Sequence, residues 1–236
     1  MTTVLFVRHG LTALTGPVLT GWTPGVHLDD RGRGQVTALG ERVRAVPLAA
    51  VVTSPLERCR ETADALIAGR QPAPPLHVEE RLGEVRYGSW TGRELKDLRK
   101  EPLWRVVQGH PSAAVFPEGE GLAEMAARAA DAIRDWNTRL GSDATYAVVS
   151  HADVIKALVA DALGLHLDGF QRIVIDPASL TVVRYAELRP FVVRVNDTGG
   201  GVDPLIPKPP ARRARRLRTA GPDSSSDAPV GGNAGL

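Results

Sequence analysis

The sequence predicts an α/β protein with a mostly parallel central sheet covered by helices. Short apolar runs typical of buried strands, at residues 3–7, 49–54 and 145–151, alternate with longer stretches of helical periodicity. Parallel strands need a crossover connection, and that connection is usually a helix. The alternation of the two patterns therefore favours a parallel sheet layered with helices.

The helical stretches between and after these strands have recognisable beginnings. Residues 31–43 follow a Leu-Asp-Asp turn, residues 57–67 follow the second strand, and residues 121–140 form the longest helical pattern. A further helix begins directly after the third strand, and Asp153 stands where a capping residue is expected. We therefore predict four main helices.

The last part of the chain changes character twice. Residues 179–185 and 190–195 are β-rich and predict a hairpin or two neighbouring strands, which could provide an edge for a homodimer. After residue 196 the composition becomes rich in Gly, Pro, Ser and Arg, which is typical of disorder. We therefore predict one domain over residues 1–196 and a disordered tail over residues 197–236.

Charge and composition exclude several classes of protein. The net charge of +2 comes from the tail, which contains six basic and four acidic side chains. The domain itself is therefore neutral, and nucleic-acid binding is not expected. No segment resembles a signal peptide or a membrane span. Cys59 is the only cysteine, which rules out an intramolecular disulfide. A cytoplasmic protein is the expectation.

Reactive side chains follow three of the predicted strands. The first strand ends in Arg8 and His9, the second in Ser54 with Arg58 on the next helix, and the third in His151. The carboxyl ends of parallel strands meet at one edge of a sheet, where ligands commonly bind. Two arginines and two histidines at one edge predict a binding site for an anion.

These residue types suit phosphoryl transfer. Arginine binds two phosphate oxygens at once and stays charged. A neutral histidine can attack phosphorus and form a phosphohistidine, and the arginines can stabilise the charge of the transferred group without a metal. The leaving alcohol still needs a proton, and the charged, Gly-rich loop at residues 81–92 offers Glu84. The remaining histidines show no metal-ligand spacing, so neither a metal nor another cofactor is expected.

At these positions the chain resembles the histidine phosphatase superfamily, in its phosphoglycerate-mutase-like branch one. The matching motifs occur in the order found in the family and extend to about residue 165: VRHGLT, TGW, SPLERCRETA, LGEVRYGSWTG and SHADVIKAL. The resemblance implies a three-layer α/β/α sandwich. It also implies that His9 is the nucleophile, that Arg8, Arg58 and His151 complete the phosphate pocket, and that Glu84 is the general acid and then the base.

The resemblance further implies substrate contacts by Arg8, Arg58, Gly10, Thr15, Thr20 and Gly21. Two residues depart from the usual motif, since Leu11 stands where the family carries Glu and Thr15 where it carries Asn. Thr15 keeps a hydroxyl that can donate to a phosphate oxygen, whereas Leu11 removes a carboxylate. The usual contacts to the substrate are therefore altered in this chain.

Several functions remain open on the sequence. The leading prediction is a metal-independent phosphomonoesterase acting on a small phosphorylated metabolite, and a phosphoglycerate-type mutase is the nearest alternative. The stretch between Glu84 and His151 is short, whereas mutases of this kind usually carry an insertion there, which favours the phosphatase. Adenosylcobalamin-pathway and sugar-phosphate phosphatases fit equally well. A non-catalytic module that binds a phosphorylated ligand or nucleic acid is the alternative of another class.

Overall fold

The computed structural model describes residues 1–200 and contains one mixed sheet with strand order β3-β2-β4-β1-β5-β6. The first four strands along the chain are mutually parallel where they pair: β1 (Thr2–Arg8), β2 (Val51–Thr53), β3 (Leu76–Val78) and β4 (Thr145–Ser150). Two antiparallel strands extend one edge, β5 (Leu180–Tyr185) and β6 (Pro190–Asp197). The predicted mostly parallel sheet is confirmed, and the two β-rich runs pair as neighbours.

Helices cover both faces of the sheet. They are α1 (Asp30–Val43), α2 (Glu57–Ile67), α3 (Leu95–Leu98), α4 (Pro102–Gly109), α5 (Leu122–Leu140) and α6 (Ala152–Leu163). Successive side chains of a strand point to opposite faces. In β1, Leu5 and Val7 pack with α1 and α2, whereas Val4 and Phe6 join the core that contains α5 and α6. Because both faces are buried, residues 4–7 of the strand are all apolar, and the fold is the expected α/β/α sandwich.

Strand register brings the candidate residues to one edge. Arg8, the last residue of β1, pairs with Ser150, the last residue of β4. The amide of His9 donates to the carbonyl of Ser150 at 3.1 Å, and the amide of Ser54 donates to the carbonyl of Val149 at 2.9 Å. The carboxyl ends of β1, β2 and β4 are therefore held together by backbone hydrogen bonds.

The structure differs from the sequence predictions in two local features. Strand β3 was not predicted, because it has only three residues, all exposed, and so short a strand shows no recognisable pattern. The predicted capping role of Asp153 is wrong: His151 is the N-cap residue of α6, and Asp153 lies buried in the first turn. Its carboxylate accepts hydrogen bonds from the side chains of Tyr87 and Lys156 instead.

The predicted tail lies almost wholly outside the described residues. Residues 197–200 are described, and Asp197 is the last residue of β6, while residues 201–236 are not described. The domain boundary at residue 196 and the disorder of the tail stay predictions. Within residues 1–200, no helix combines the length and the apolar character that a bilayer-spanning segment requires.

Candidate active site

A cleft opens at the carboxyl ends of β1, β2 and β4. The cleft contains most of the residues predicted for the site, together with several that were not. It is lined by Arg8, His9, Thr12, Thr15, Gly16, Val18, Leu19, Thr20, Gly21, Arg58, Glu84, Tyr87 and Leu95.

His9 is held as a neutral imidazole with a defined tautomer. Its Nδ1 lies 2.8 Å from the carbonyl oxygen of Gly10, which can only accept, so Nδ1 carries the proton. Its Nε2 accepts a hydrogen bond from Nε of Arg58 at 3.3 Å. Burial, followed by the charges of Arg58 and Arg8, holds the pKa of His9 well below its ordinary value. The lone pair of Nε2 is therefore available to react.

Arg8 and Arg58 are both buried charged groups. Arg8 donates from Nη1 to the carbonyl of Ile175 at 2.7 Å, and burial lowers its pKa to about 10, which leaves it charged at neutral pH. Arg58 donates from Nη2 to the carbonyl of Gly21 at 2.9 Å, but its buried Nη1 has no hydrogen-bond partner among the described residues 1–200. An unpaired buried donor on a cation is costly, and an anion in the cleft would relieve that cost.

His151 does not line the cleft, and its imidazole contacts both Arg58 and Ser54. Its Nδ1 is 3.4 Å from Nη2 of Arg58, which can only donate, so Nδ1 accepts and Nε2 donates to Ser54 Oγ at 2.8 Å. Burial, then the charge of Arg58, holds its pKa well below the ordinary value. The ring centroids of His9 and His151 are 5.3 Å apart, so the two imidazoles pack edge to face.

Glu84 is a buried carboxyl group on a firmly anchored loop. Its backbone carbonyl accepts hydrogen bonds from Trp22 Nε1 at 2.6 Å and from Arg128 Nη2 at 3.0 Å. Burial, followed by the negative charge of Asp153, raises the pKa of Glu84 to about 7. A carboxyl group with this pKa can both donate and accept a proton near neutral pH.

The predicted substrate contacts divide into two sets. Thr15, Thr20 and Gly21 line the cleft, and the hydroxyl of Thr15 lies 2.9 Å from that of Thr12. Gly10 does not line the cleft, and its amide donates to Thr62 Oγ1 at 3.2 Å.

Two residues of the first motif face the protein interior. A Cβ on Gly10 would lie 2.8 Å from the carbonyl oxygen of Gly32, so the absence of a side chain allows the segment after β1 to approach α1 closely. Leu11 is buried as well, with only 4% of its surface exposed, and does not line the cleft. Leu11 is therefore part of the packing beside the site and not of the cleft surface.

Sequence reasoning did not assign several residues that form the site. Ser54 was visible at the end of a strand, and Thr12 lay within a recognised motif, so both had a signal. Tyr87 lies within the LGEVRYGSWTG motif and also lines the cleft, but it received no functional role from the sequence. Val18 and Leu19 lie in a loop and Leu95 begins α3, and their approach to the cleft depends on tertiary contacts that no local pattern predicts. Within the described part of the chain, no group of His, Cys, Asp and Glu side chains is arranged to hold a metal ion.

Comparison with known proteins places this fold and site in context. A family model described as the histidine phosphatase superfamily (branch 1) matches residues 4–198. A probable phosphoglycerate mutase of Erwinia tasmaniensis is 29% identical over 87% of this chain and 95% of its own length. The adenosylcobalamin/alpha-ribazole phosphatase of Salmonella typhimurium is 31% identical over 66% of this chain and 77% of its own length.

Solved structures show the same architecture. YhfR of Bacillus stearothermophilus superposes with a TM-score of 0.77 at 28% identity, covering 84% of this chain and 98% of that protein. A mycobacterial glucosyl-3-phosphoglycerate phosphatase superposes with a TM-score of 0.74 at 23% identity, covering 83% and 98% of the two chains. The second likeness concerns the fold alone.

Proposed function

Because the chain belongs to branch 1 of the histidine phosphatase superfamily, we propose that it is a phosphomonoesterase working through a phosphohistidine at His9. The observation that carries the proposal is the proximity of a neutral His9, whose Nε2 holds a lone pair, to buried Arg58, whose Nη1 has no hydrogen-bond partner within residues 1–200. Both residues line the cleft, and a nucleophile beside a buried cation suits a phosphate monoester.

The first half of the reaction transfers the phosphoryl group to the enzyme. Nε2 of His9 attacks phosphorus and forms a P–N bond as the P–O bond to the leaving alcohol breaks. Arg8 and Arg58 stabilise the charge on the equatorial oxygens. The protonated carboxyl group of Glu84, present because its pKa is about 7, gives its proton to the leaving oxygen.

The second half returns the enzyme to its starting state. Water attacks the phosphohistidine and gives a proton to the carboxylate of Glu84, the P–N bond breaks, and inorganic phosphate leaves. His151 acts as a positioning residue, because its hydrogen bonds to Arg58 and Ser54 fix the guanidinium beside the phosphoryl group. Thr15, Thr20 and Gly21 form the wall around the bound substrate.

Hydrolysis is favoured over mutase activity because the chain between Glu84 and His151 is short. The stretch between Glu84 and His151 contains only α3, α4, α5 and short turns besides β4, without the longer insertion expected of such a mutase. Among the relatives, two carry a mutase name and three carry phosphatase names. Cytoplasmic location, a small-metabolite substrate and a homodimer through the β-rich edge remain predictions within this proposal.

The test is hydrolysis of p-nitrophenyl phosphate in the presence of EDTA. We expect turnover without added metal and its loss in His9→Ala. The matched control is His110→Ala, which removes an exposed imidazole that does not line the cleft and should leave turnover intact. Turnover that required a metal, or that survived His9→Ala, would contradict the proposal. Phosphate binding without any turnover would favour the non-catalytic alternative.

A further inference from the structure

Few charged side chains line the cleft, and its two arginines are already needed to bind one phosphoryl group. Among the residues that line it, the cationic side chains are Arg8 and Arg58, since burial keeps His9 neutral. The rest of the wall consists of three threonines with hydroxyl groups, Gly16, Gly21, Tyr87 and Glu84, and of apolar Val18, Leu19 and Leu95. Beyond the phosphate pocket, the wall offers hydroxyl groups and apolar surface.

Two cations that flank this wall along the chain, Arg93 and Lys96, are paired with carboxylates, and a third, Arg86, packs 4.4 Å over the ring of Trp22 and does not line the cleft. Arg93, which follows the Glu84 loop, donates to a carboxylate oxygen of Glu101 at 2.6 Å. Lys96, next to Leu95, forms an ion pair with Glu94. Neither Arg93 nor Lys96 lines the cleft. Using one of them as a counter-charge for a ligand would require breaking its existing ion pair.

A second anionic group on the substrate would therefore be poorly accommodated. The phosphoryl group takes the charges of Arg8 and Arg58, and a buried carboxylate without a counter-charge carries a large desolvation penalty. Glu84, which becomes anionic when it gives up its proton, and Asp153 behind it would add repulsion.

We propose that the physiological substrate is a phosphate monoester of an uncharged alcohol, whose hydroxyl and apolar groups contact the threonines and the apolar wall. Monoesters that carry a carboxylate on the alcohol portion are poor substrates. The inference rests on the proposed phosphatase activity and narrows its substrate class.

The experiment uses two substrates that share one carbon skeleton. Glycerol 3-phosphate carries a hydroxymethyl group where 3-phosphoglycerate carries a carboxylate. With the full-length protein, we expect kcat/KM to be at least about tenfold higher for glycerol 3-phosphate, which corresponds to about 1.4 kcal/mol. In parallel, hydrolysis of p-nitrophenyl phosphate reports whether the chemistry itself operates.

Val18 allows a charge to be added to the wall. Val18 lines the cleft and is half-buried. Val18→Lys places a cation there, and Val18→Met is the matched control of similar length without charge. We expect Val18→Lys to reduce the preference for glycerol 3-phosphate at least about threefold relative to Val18→Met, since a counter-charge offsets part of the carboxylate penalty.

The outcomes separate this inference from the proposed function. Equal kcat/KM for the two substrates, or a preference for 3-phosphoglycerate, would overturn the inference while leaving a phosphatase that still hydrolyses p-nitrophenyl phosphate. The same change in preference for both Val18 variants would also overturn it, because charge would then not be the cause. If the wild-type protein showed no His9-dependent turnover of p-nitrophenyl phosphate, the proposed function itself would be refuted.

Discussion

Replacement of Glu84 by Gln should lower turnover, and it should raise the free energy of unfolding at high pH but not at low pH. Burial raises the pKa of this carboxyl group from its ordinary value of 4.5 to about 7 in the folded protein. Between those pH values the unfolded chain releases the proton and the folded protein keeps it, so the free energy of unfolding falls as pH rises. Below about pH 4 this effect is absent, and above about pH 8 it is complete.

The magnitude follows from the two pKa values. Their difference corresponds to about 3 kcal/mol of stability lost by the wild type at pH 8, and to under about 1 kcal/mol at pH 5. Gln cannot ionise, and its side-chain oxygen can keep the hydrogen bond that Glu84 Oε1 accepts from the amide of Val85. Glu84→Gln should therefore be about as stable as the wild type at pH 5 and clearly more stable at pH 8.

The assay is urea unfolding at pH 5 and pH 8, with turnover of p-nitrophenyl phosphate measured on the same samples. Glu84→Gln should lose about 10²- to 10⁴-fold in kcat because it has no proton to donate. Glu187→Gln, at an exposed position in the β5–β6 turn, is the control and should follow the wild type at both pH values. A stability difference between Glu84→Gln and the wild type that does not change with pH would refute the reasoning.

Two further substitutions test the surroundings of the site. Gly10→Ala should lower the free energy of unfolding by about 1–3 kcal/mol, because its Cβ would lie 2.8 Å from both the Gly32 carbonyl oxygen and Val36 Cγ1, and thermal unfolding would detect this. Asp153→Asn removes a negative charge that raises the pKa of Glu84, so the basic limb of the kcat–pH profile should move to lower pH. An unchanged profile in a folded Asp153→Asn protein would mean that Asp153 does not act on Glu84.

The sequence predicted the placement of the reactive residues well, for a physical reason. A strand buried on both faces must be apolar throughout, so the sudden change to Arg8 and His9 marks the edge of the sheet. The same reasoning applies at Ser54 and His151. Parallel pairing then brings these ends together, which is why residues distant in sequence could be expected at one edge of the sheet.

What escaped prediction depends on contacts made after the chain has folded. Asp153 occupies a position where a helix cap is common, yet its carboxylate is buried. A buried charge needs internal partners, and here the side chains of Tyr87 and Lys156 provide them. Leu11 stands at a motif position but is buried beside the cleft. Local sequence patterns contain no information on either outcome.

The central claim is that His9 carries the phosphoryl group during turnover. Mixing the protein with a ³²P-labelled monoester and stopping the reaction with alkali within milliseconds would retain a phosphohistidine, which can be located by mass spectrometry of the digested protein. We expect label on the peptide that contains His9, with none in His9→Ala. Rapid hydrolysis without labelled protein, or label on another residue, would contradict the account.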